Sequence, residues 1–338
     1  MKIFSKLKLP KAKDKFSIGL DIGTQSIKCV KLKINDAVEL VSFDLEEGRL
    51  DPTEVLQQIK HAQDADLINI SFCGPVTVIR CVNFLRMNKT ELKQSLKFEA
   101  QKHIPFSLNE VNLDAAILKD DLPENKMLVL IAAIKKESMQ QRLRNLENAG
   151  LRPGIIDIDS LALINSFNFN YPKIDAPENN SICLLNIGAS ISNVNILDNG
   201  ILRLSRDIHF GGANFTKKFM DLFEVDFKAA EELKINQPQD KADKARAGVE
   251  SVLTNLAAEI RTSFDYYESQ NTSSVTKIFL SGGGSKIGGL TEALSVCLGI
   301  PVESWDPFKQ IKISDTIDTR KLNNFSGQFN IAVGLALR

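Results

Sequence analysis

The sequence predicts an α/β protein of two related lobes, each built from strands followed by helices, with a small αβ subdomain inserted in the first lobe. Three observations carry this. A strand, tight Gly turn and returning strand occur twice, as Leu20-Asp21-Ile22-Gly23-Thr24-Gln25-Ser26 and as Leu185-Asn186-Ile187-Gly188-Ala189-Ser190-Ile191. A Gly-rich loop, Ser281-Gly282-Gly283-Gly284-Ser285, follows a strand in the second half and runs towards a helix near 289–298. From residue 16 onward strands and helices alternate, and the plan of the first half recurs in the second.

The elements follow in order. Strands are expected near 16–21, 27–33 and 37–43, then a helix around 53–60 and strands at 67–71 and 76–85. Asn88 caps the next helix with Glu91 three residues on, and Leu92, Leu96 and Ala100 form its inward stripe before Pro105 ends the helix. Strands at 111–118 and 127–134 lead to a helix over 136–149 that Gly150 ends. A strand at 154–158 feeds a helix from Ser160, and 171–180 is the longest loop. In the second half, Asn199-Gly200 between strands 194–197 and 201–204 is a hairpin signal, because a type I′ turn needs positive φ at both positions. A long helix over 241–270 places Val249, Leu253, Leu256, Ile260, Phe264 and Tyr267 on one face. A strand at 277–280 and a closing helix at 329–338 complete the plan.

Composition sets the class. The chain has 338 residues, 43% hydrophobic and 25% charged, which is ordinary for a globular protein of two or more domains. Lys plus Arg and Asp plus Glu both number 42, so no global field attracts nucleic acid. No apolar run reaches bilayer-spanning length. Cys29, Cys73, Cys81, Cys183 and Cys297 show no CxxC spacing, so neither a disulfide framework nor a zinc site is indicated, and a cytoplasmic protein is the simplest reading. Residues 1–15 are lysine-rich with interleaved apolar residues. They read as a solvated tail or a weak tether to anionic lipid, not as a signal peptide.

A hairpin tip presents successive N–H groups that can hold phosphate oxygens, and a glycine triplet lets a ligand lie on the backbone. Either hairpin alone is an ordinary turn; two of them with the Gly-rich loop imply a nucleotide clamped between two halves. That order resembles the phosphate-1, phosphate-2 and adenosine motifs of the actin/hexokinase/Hsp70 ATPase superfamily. Within it, residues 16–338 resemble the type IV pilus assembly PilM family, which is related to the division protein FtsA. The resemblance rests on residues 19–28, on Glu99-Ala-Gln-Lys-His-Ile-Pro105-Phe106, and on Ala149-Gly-Leu-Arg-Pro153 with Asp157. It continues through Phe210-Gly-Gly-Ala-Asn-Phe-Thr216, Ala230-Glu-Glu-Leu-Lys234, Glu259-Ile-Arg-Thr-Ser263 and Ala332-Val-Gly-Leu-Ala-Leu-Arg338. The phrase around Ile104-Pro105-Phe106 and the closing segment are the parts specific to PilM-like proteins.

The resemblance implies two ribonuclease-H-like (actin-like ATPase) lobes. The implied division is a basic tail 1–15, a first lobe over 16–85 and 136–158, an inserted 1C-type subdomain over 86–135, a second lobe over 159–210 and 276–338, and a subdomain 2B over 211–275. It implies ATP or ADP with Mg2+. Gly23, Thr24, Gln25, Ser26, Gly188, Ala189 and Ser190 would hold phosphates. Gly212, Glu231, Lys234, Gly282, Gly283, Gly284 and Ser285 would hold the rest of the nucleotide. Asp21 would face the metal through its waters, with Lys28 nearby.

Relatives usually carry aspartate where this chain has Asn186, which removes a charge beside the metal and makes slow or absent hydrolysis the expectation. Asp157 and Asp159 are the candidates to orient an attacking water, although Asp159 and Ser160 are equally good N-caps. The implied partners are the N-terminal cytoplasmic tail of a PilN-like inner-membrane protein, docked beside Ile104, Pro105 and Phe106, and other pilus platform proteins, at the cytoplasmic face of the inner membrane. An apolar tail of that kind needs apolar pockets and backbone partners. An active, filament-forming ATPase and a small-molecule kinase stand as alternatives; the kinase lacks an evident sugar-site insertion.

Overall fold

The structure, a computed structural model, describes residues 15–48, 52–59, 67–172 and 180–338. The tail reading for 1–14 and most of the expected loop at 171–180 lie outside the described residues.

The first lobe is a six-stranded sheet. Strands β1 (Lys15–Ile22), β2 (Ser26–Ile34) and β3 (Val38–Glu47) form an antiparallel meander; β4 (Ile68–Phe72) and β8 (Pro153–Ile158) add in parallel on one side. A two-residue strand β14 (Lys312–Ile313) from the end of the chain completes the order β14-β3-β2-β1-β4-β8. Helices α1 (Pro52–Gln58), α3 (Lys136–Asn148) and α4 (Asp159–Asn170) cover it.

The second lobe repeats the meander with β9 (Asn180–Ile187), β10 (Ser192–Asp198) and β11 (Ile201–Ile208). Parallel strands β12 (Ser274–Ser281) and β13 (Val302–Ser304) extend it, in the order β11-β10-β9-β12-β13. Asn199 and Gly200 have φ of 50° and 76°, the pair of positive values that the two-residue turn requires. Helices α5 (Gly212–Phe223), α6 (Phe227–Asn236), α7 (Ala242–Gln270) and α8 (Leu290–Leu298) belong to this lobe. All six residues expected on the inward face of α7 are buried.

The small subdomain is a three-stranded antiparallel sheet, β5 (Thr77–Leu85), β7 (Lys126–Lys135) and β6 (Val111–Leu122), backed by α2 (Lys89–Ala100). Strand β5 pairs along its whole length with β7, so this sheet begins at Thr77, ahead of the Arg86 boundary expected from the sequence. Pairing between strands far apart in sequence decides such a boundary, and composition does not record it. Asn88 caps α2 with a full capping box, its side chain accepting from Thr90 and Glu91 N–H.

The closing segment acts as a wedge. Helix α9 (Thr319–Phe325) leads to α10 (Asn330–Ala336), whose seven residues are all buried between β1 and α4. At Gly19 an added Cβ would lie 2.0 Å from the Ala332 carbonyl oxygen, and at Gly334 it would lie 1.8 Å from that of Ala162. The small residues of the closing phrase are therefore what lets three backbones cross. The core is continuous across the two lobes: the Phe167 ring of α4 packs 4.7 Å from that of Phe279 on β12 and 5.0 Å from that of Trp305.

Candidate functional site

The two hairpin tips are built alike. Gly23 N–H donates to the Ser26 carbonyl and Gly188 N–H to the Ile191 carbonyl, both at 3.0 Å, so each turn closes by the same bond. Thr24, Gln25, Ala189 and Ser190 lie beyond those bonds, and Thr24 Oγ1 meets Ser190 Oγ at 3.1 Å across the cleft. The structure thus brings the two expected phosphate loops into direct contact. Helix α5 holds the second tip from behind, since Gly212 and Ala213 N–H donate to the Gly188 and Ala189 carbonyls at 2.9 and 2.8 Å.

Asp21 sits on β1 at the cleft floor, 6% exposed, with Lys28 Nζ 3.1 Å from its Oδ2. The lysine is itself largely buried rather than solvated, because β1 and β2 pair Asp21 directly with Lys28. Among the described residues, no three His, Cys, Asp or Glu side chains are arranged to hold a metal ion directly.

Asn186 is one link in a directional chain. Ser281 Oγ donates to its Oδ1 at 3.3 Å, its Nδ2 donates to Asn193 Oδ1 at 3.1 Å, and Asn193 Nδ2 donates to Asp207 Oδ1 at 2.6 Å. The other oxygen of Asp207 accepts the Gly74 N–H of the first lobe at 2.8 Å. Asp207 is thus a cleft carboxylate that the sequence reading missed; its place opposite Asn193 in the β10–β11 register was the available signal.

Asp157 is buried and fully engaged. Its Oδ2 takes both Nη2 of Arg338 at 2.5 Å and Nε at 2.7 Å, and its Oδ1 accepts Ile158 N–H. Both of its carboxylate oxygens are therefore taken up by protein partners. Asp159 and Ser160 are the first helical residues of α4, not its N-caps; Ile158 takes the cap position and no side chain caps the end. Asp159 is instead buried near Asp21, Ser71 and Cys73. Burial and the neighbouring Asp21 carboxylate push its pKa up to about 6, against the lowering influence of Ser71, Cys73 and Arg142. Burial, with the Asp159, Asp207 and Asp21 carboxylates around it, pushes the Cys73 thiol up as well, so that thiol stays protonated.

On the opposite wall, Lys234 Nζ is 2.6 Å from Glu231 Oε1 and 2.8 Å from Thr216 Oγ1, and Thr216 Oγ1 also bonds Glu231. Lys234 is 6% exposed, and its burial lowers its pKa. The end of α6 is stitched to the Gly-rich loop: Gly288 N–H donates to the Lys234 carbonyl at 3.0 Å and Gln237 Nε2 to the Gly288 carbonyl at 2.7 Å. The loop itself passes through a 3₁₀ turn, Gly283–Lys286, before α8 starts at Leu290, so the helix N-terminus does not lie directly behind the triplet. Gly282, at φ 85°, and Gly284 are pressed onto Ile187, where an added Cβ would approach within 2.4 and 2.3 Å. Gly283 between them is exposed, with nothing nearer than 3.8 Å.

The three residues expected in a partner groove separate. Ile104 is 7% exposed and belongs to the core of the small subdomain. Pro105 and Phe106 line an open cavity of about 370 Å³, together with Val78 and Arg80 of β5 and Asp207 and His209 of the second lobe. The Phe106 ring lies under Lys135 Nζ at 5.0 Å. This cavity touches the Gly74–Asp207 bond that also ends the Asn186 chain.

The profile of the type IV pilus assembly protein PilM matches residues 19–338. The chain belongs to that family. The "PilM-PilN type IV pilus biogenesis complex" superposes on the chain with a TM-score of 0.82 at 25% identity, covering 95% of this chain and 98% of that one. The ethanolamine utilization protein EutJ from Carboxydothermus hydrogenoformans follows with a TM-score of 0.55 at 13% identity, over 97% and 91% of the two chains. The (R)-2-hydroxyglutaryl-CoA dehydratase component A of Acidaminococcus fermentans has a TM-score of 0.50 at 14% identity, over 95% and 96%. These likenesses place the PilM-family chain in the actin-like ATPase fold. Among its described residues, no helix is long and apolar enough to cross a membrane.

Proposed function

We propose that this chain is a nucleotide-binding scaffold of the type IV pilus inner-membrane platform, working at the cytoplasmic face and docking the N-terminal tail of a PilN-like membrane protein. The observation that carries it is the likeness to the solved PilM-PilN complex over nearly the whole of both chains. The cavity beside Pro105 and Phe106 supports the docking half. These two with Val78 and Ile79 give it one apolar side, and Arg80, Arg206, Asp207 and His209 make the other side polar. Beside it, β5 is an edge strand that an extended tail could pair with. The test is a synthetic apolar tail of that protein titrated against the full chain. Phe106→Ala should weaken binding by roughly 1–3 kcal/mol, as for an interface anchor, with little dependence on salt. Failure of every pilus-protein tail to bind the intact chain would sink the docking reading.

The residues fit a nucleotide. Two matched tips face one another, the Gly283 surface is open, and Glu231, Lys234 and Thr216 form a polar wall beside them. ATP or ADP would rest its phosphates on Gly23–Ser26 and Gly188–Ser190 and its nucleoside against Gly282–Ser285, Gly212, Glu231 and Lys234. Asp21 would face Mg2+ through the ion's waters, and Lys28 would balance its charge. The bound ion would supply charge neutralisation between the two tips. With Asn186 neutral and Asp157 taken up by Arg338, slow or absent hydrolysis fits this site better than rapid turnover. The active-ATPase reading would rest on Asp159, whose carboxyl burial and the neighbouring Asp21 push up to about 6, the direction a general base needs. Turnover that is measurable in the native chain and lost in Asp159→Asn would decide for it.

A further inference from the structure

Among the described residues, the side chain that comes within 4 Å of the open face of Gly283 is that of Gln328. At Gly283 the nearest atoms to an added Cβ are Oε1 and Cδ of Gln328, at 3.8 and 3.9 Å. Gln328 ends a 3₁₀ turn, Ser326–Gln328, from the segment that leads into α10. That turn is tied to the loop it faces: Gly282 N–H donates to the Gly327 carbonyl at 2.8 Å, and Ser285 Oγ lies 3.2 Å from where a Gly327 Cβ would be. Gln328 is half-buried, and among the described residues its carboxamide has no hydrogen-bond partner. A fixed backbone therefore presents one free donor and one free acceptor over the only exposed glycine of the triplet.

We propose that Gln328 reads the base of a nucleotide lying on Gly283 and selects adenine over guanine. A carboxamide matches adenine at two adjacent atoms, accepting from the N6 amino group at Oε1 and donating to N7 from Nε2. Guanine offers two acceptors on the same edge, O6 and N7, so one of the two amide atoms would face a like partner. This rests on the nucleotide reading above and adds to it the residue that chooses the base.

The test measures ATP, GTP and inorganic tripolyphosphate binding to the full chain by equilibrium dialysis, in the native protein and in Gln328→Ala and Gln328→Glu. The native chain should prefer ATP to GTP by about tenfold or more, the discrimination one bidentate pair supplies. Gln328→Ala should lose most of that preference through weaker ATP binding. Gln328→Glu should also weaken ATP, because N7 then loses its donor. Tripolyphosphate should bind all three proteins alike, since the phosphate tips are untouched. Equal binding of ATP and GTP by the native chain, or an unchanged preference in Gln328→Ala, overturns the proposal. A native chain that binds none of the three ligands overturns the nucleotide reading itself, and the base-reading role with it.

Discussion

Arg338 closes a two-pronged ion pair on Asp157, with Nη2 and Nε at 2.5 and 2.7 Å from one carboxylate oxygen. The pair ties the end of α10 to β8, next to the turn into α4, so it secures the wedge that α10 forms between β1 and α4. Asp157 is buried while Arg338 is one-third exposed, so the aspartate loses more when the pair is broken.

Arg338→Gln should accordingly destabilise the chain by about 2 kcal/mol, below the full cost of breaking a buried pair because the arginine is partly solvated. In Asp157→Asn, the same change should cost much less. Urea unfolding of the four proteins checks this. Equal costs in both backgrounds would mean that the two groups do not stabilise one another.

The three glycines should not behave alike. Gly283→Val should fold, because its added atoms meet open space, yet it should lose the thermal shift that ATP or ADP with magnesium gives. That shift corresponds to about 2.7 kcal/mol at hundredfold ligand excess over Kd. Gly282→Val should misfold or unfold early, since its φ is 85° and its Cβ would strike the Ile187 carbonyl. A nucleotide shift retained in Gly283→Val would count against ligand contact at this loop.

Restoring a carboxylate at Asn186 has a structural cost that the sequence did not reveal. Asn186→Asp removes the donor to Asn193 and places a second charge in a chain already ended by Asp207. The variant should lose about 1–3 kcal/mol, the penalty of an unsatisfied buried partner. Added magnesium should recover part of that loss if the new carboxylate reaches the ion. A variant as stable as the native chain without metal would show that the Asn193 amide turns over freely.

Asp159 makes stability depend on pH with the opposite sign to a salt-bridged aspartate. Its pKa rises from 3.8 in the unfolded chain to about 6 in the fold, so between these values the folded state holds the extra proton. Stability should therefore fall as pH rises through that window, with the full loss present above it. Asp159→Asn should be more stable than the native chain at pH 7 by up to about 3 kcal/mol, and no more stable below pH 4. Thermal melts across that range would refute the idea if the advantage did not shrink on acidification.

Local pattern made much of this protein legible. The two Gly hairpins, the capped helix at Asn88, the Asn199-Gly200 turn and the buried stripe of α7 all follow from residues within one or two turns of each other. Alternation, helical spacing, caps and positive-φ residues are encoded where they act. Each hairpin turn was legible by its own motif, whereas the contact of Thr24 with Ser190 across 166 residues was not.

Contacts between distant segments were settled only by the tertiary structure. Whether Asp157 faced water or Arg338 depended on how α10 crosses β1, and whether Ile104 or Phe106 faced the groove depended on how the chain leaves α2. The role of Asn186 needed Asp207 from another strand, and Gln328 faces Gly283 only because the Gly327 carbonyl takes the Gly282 N–H. A residue's type and spacing state what it can donate, accept or bury. Which group it meets is fixed by the crossing of elements, and close packing allows only one answer once those crossings are made.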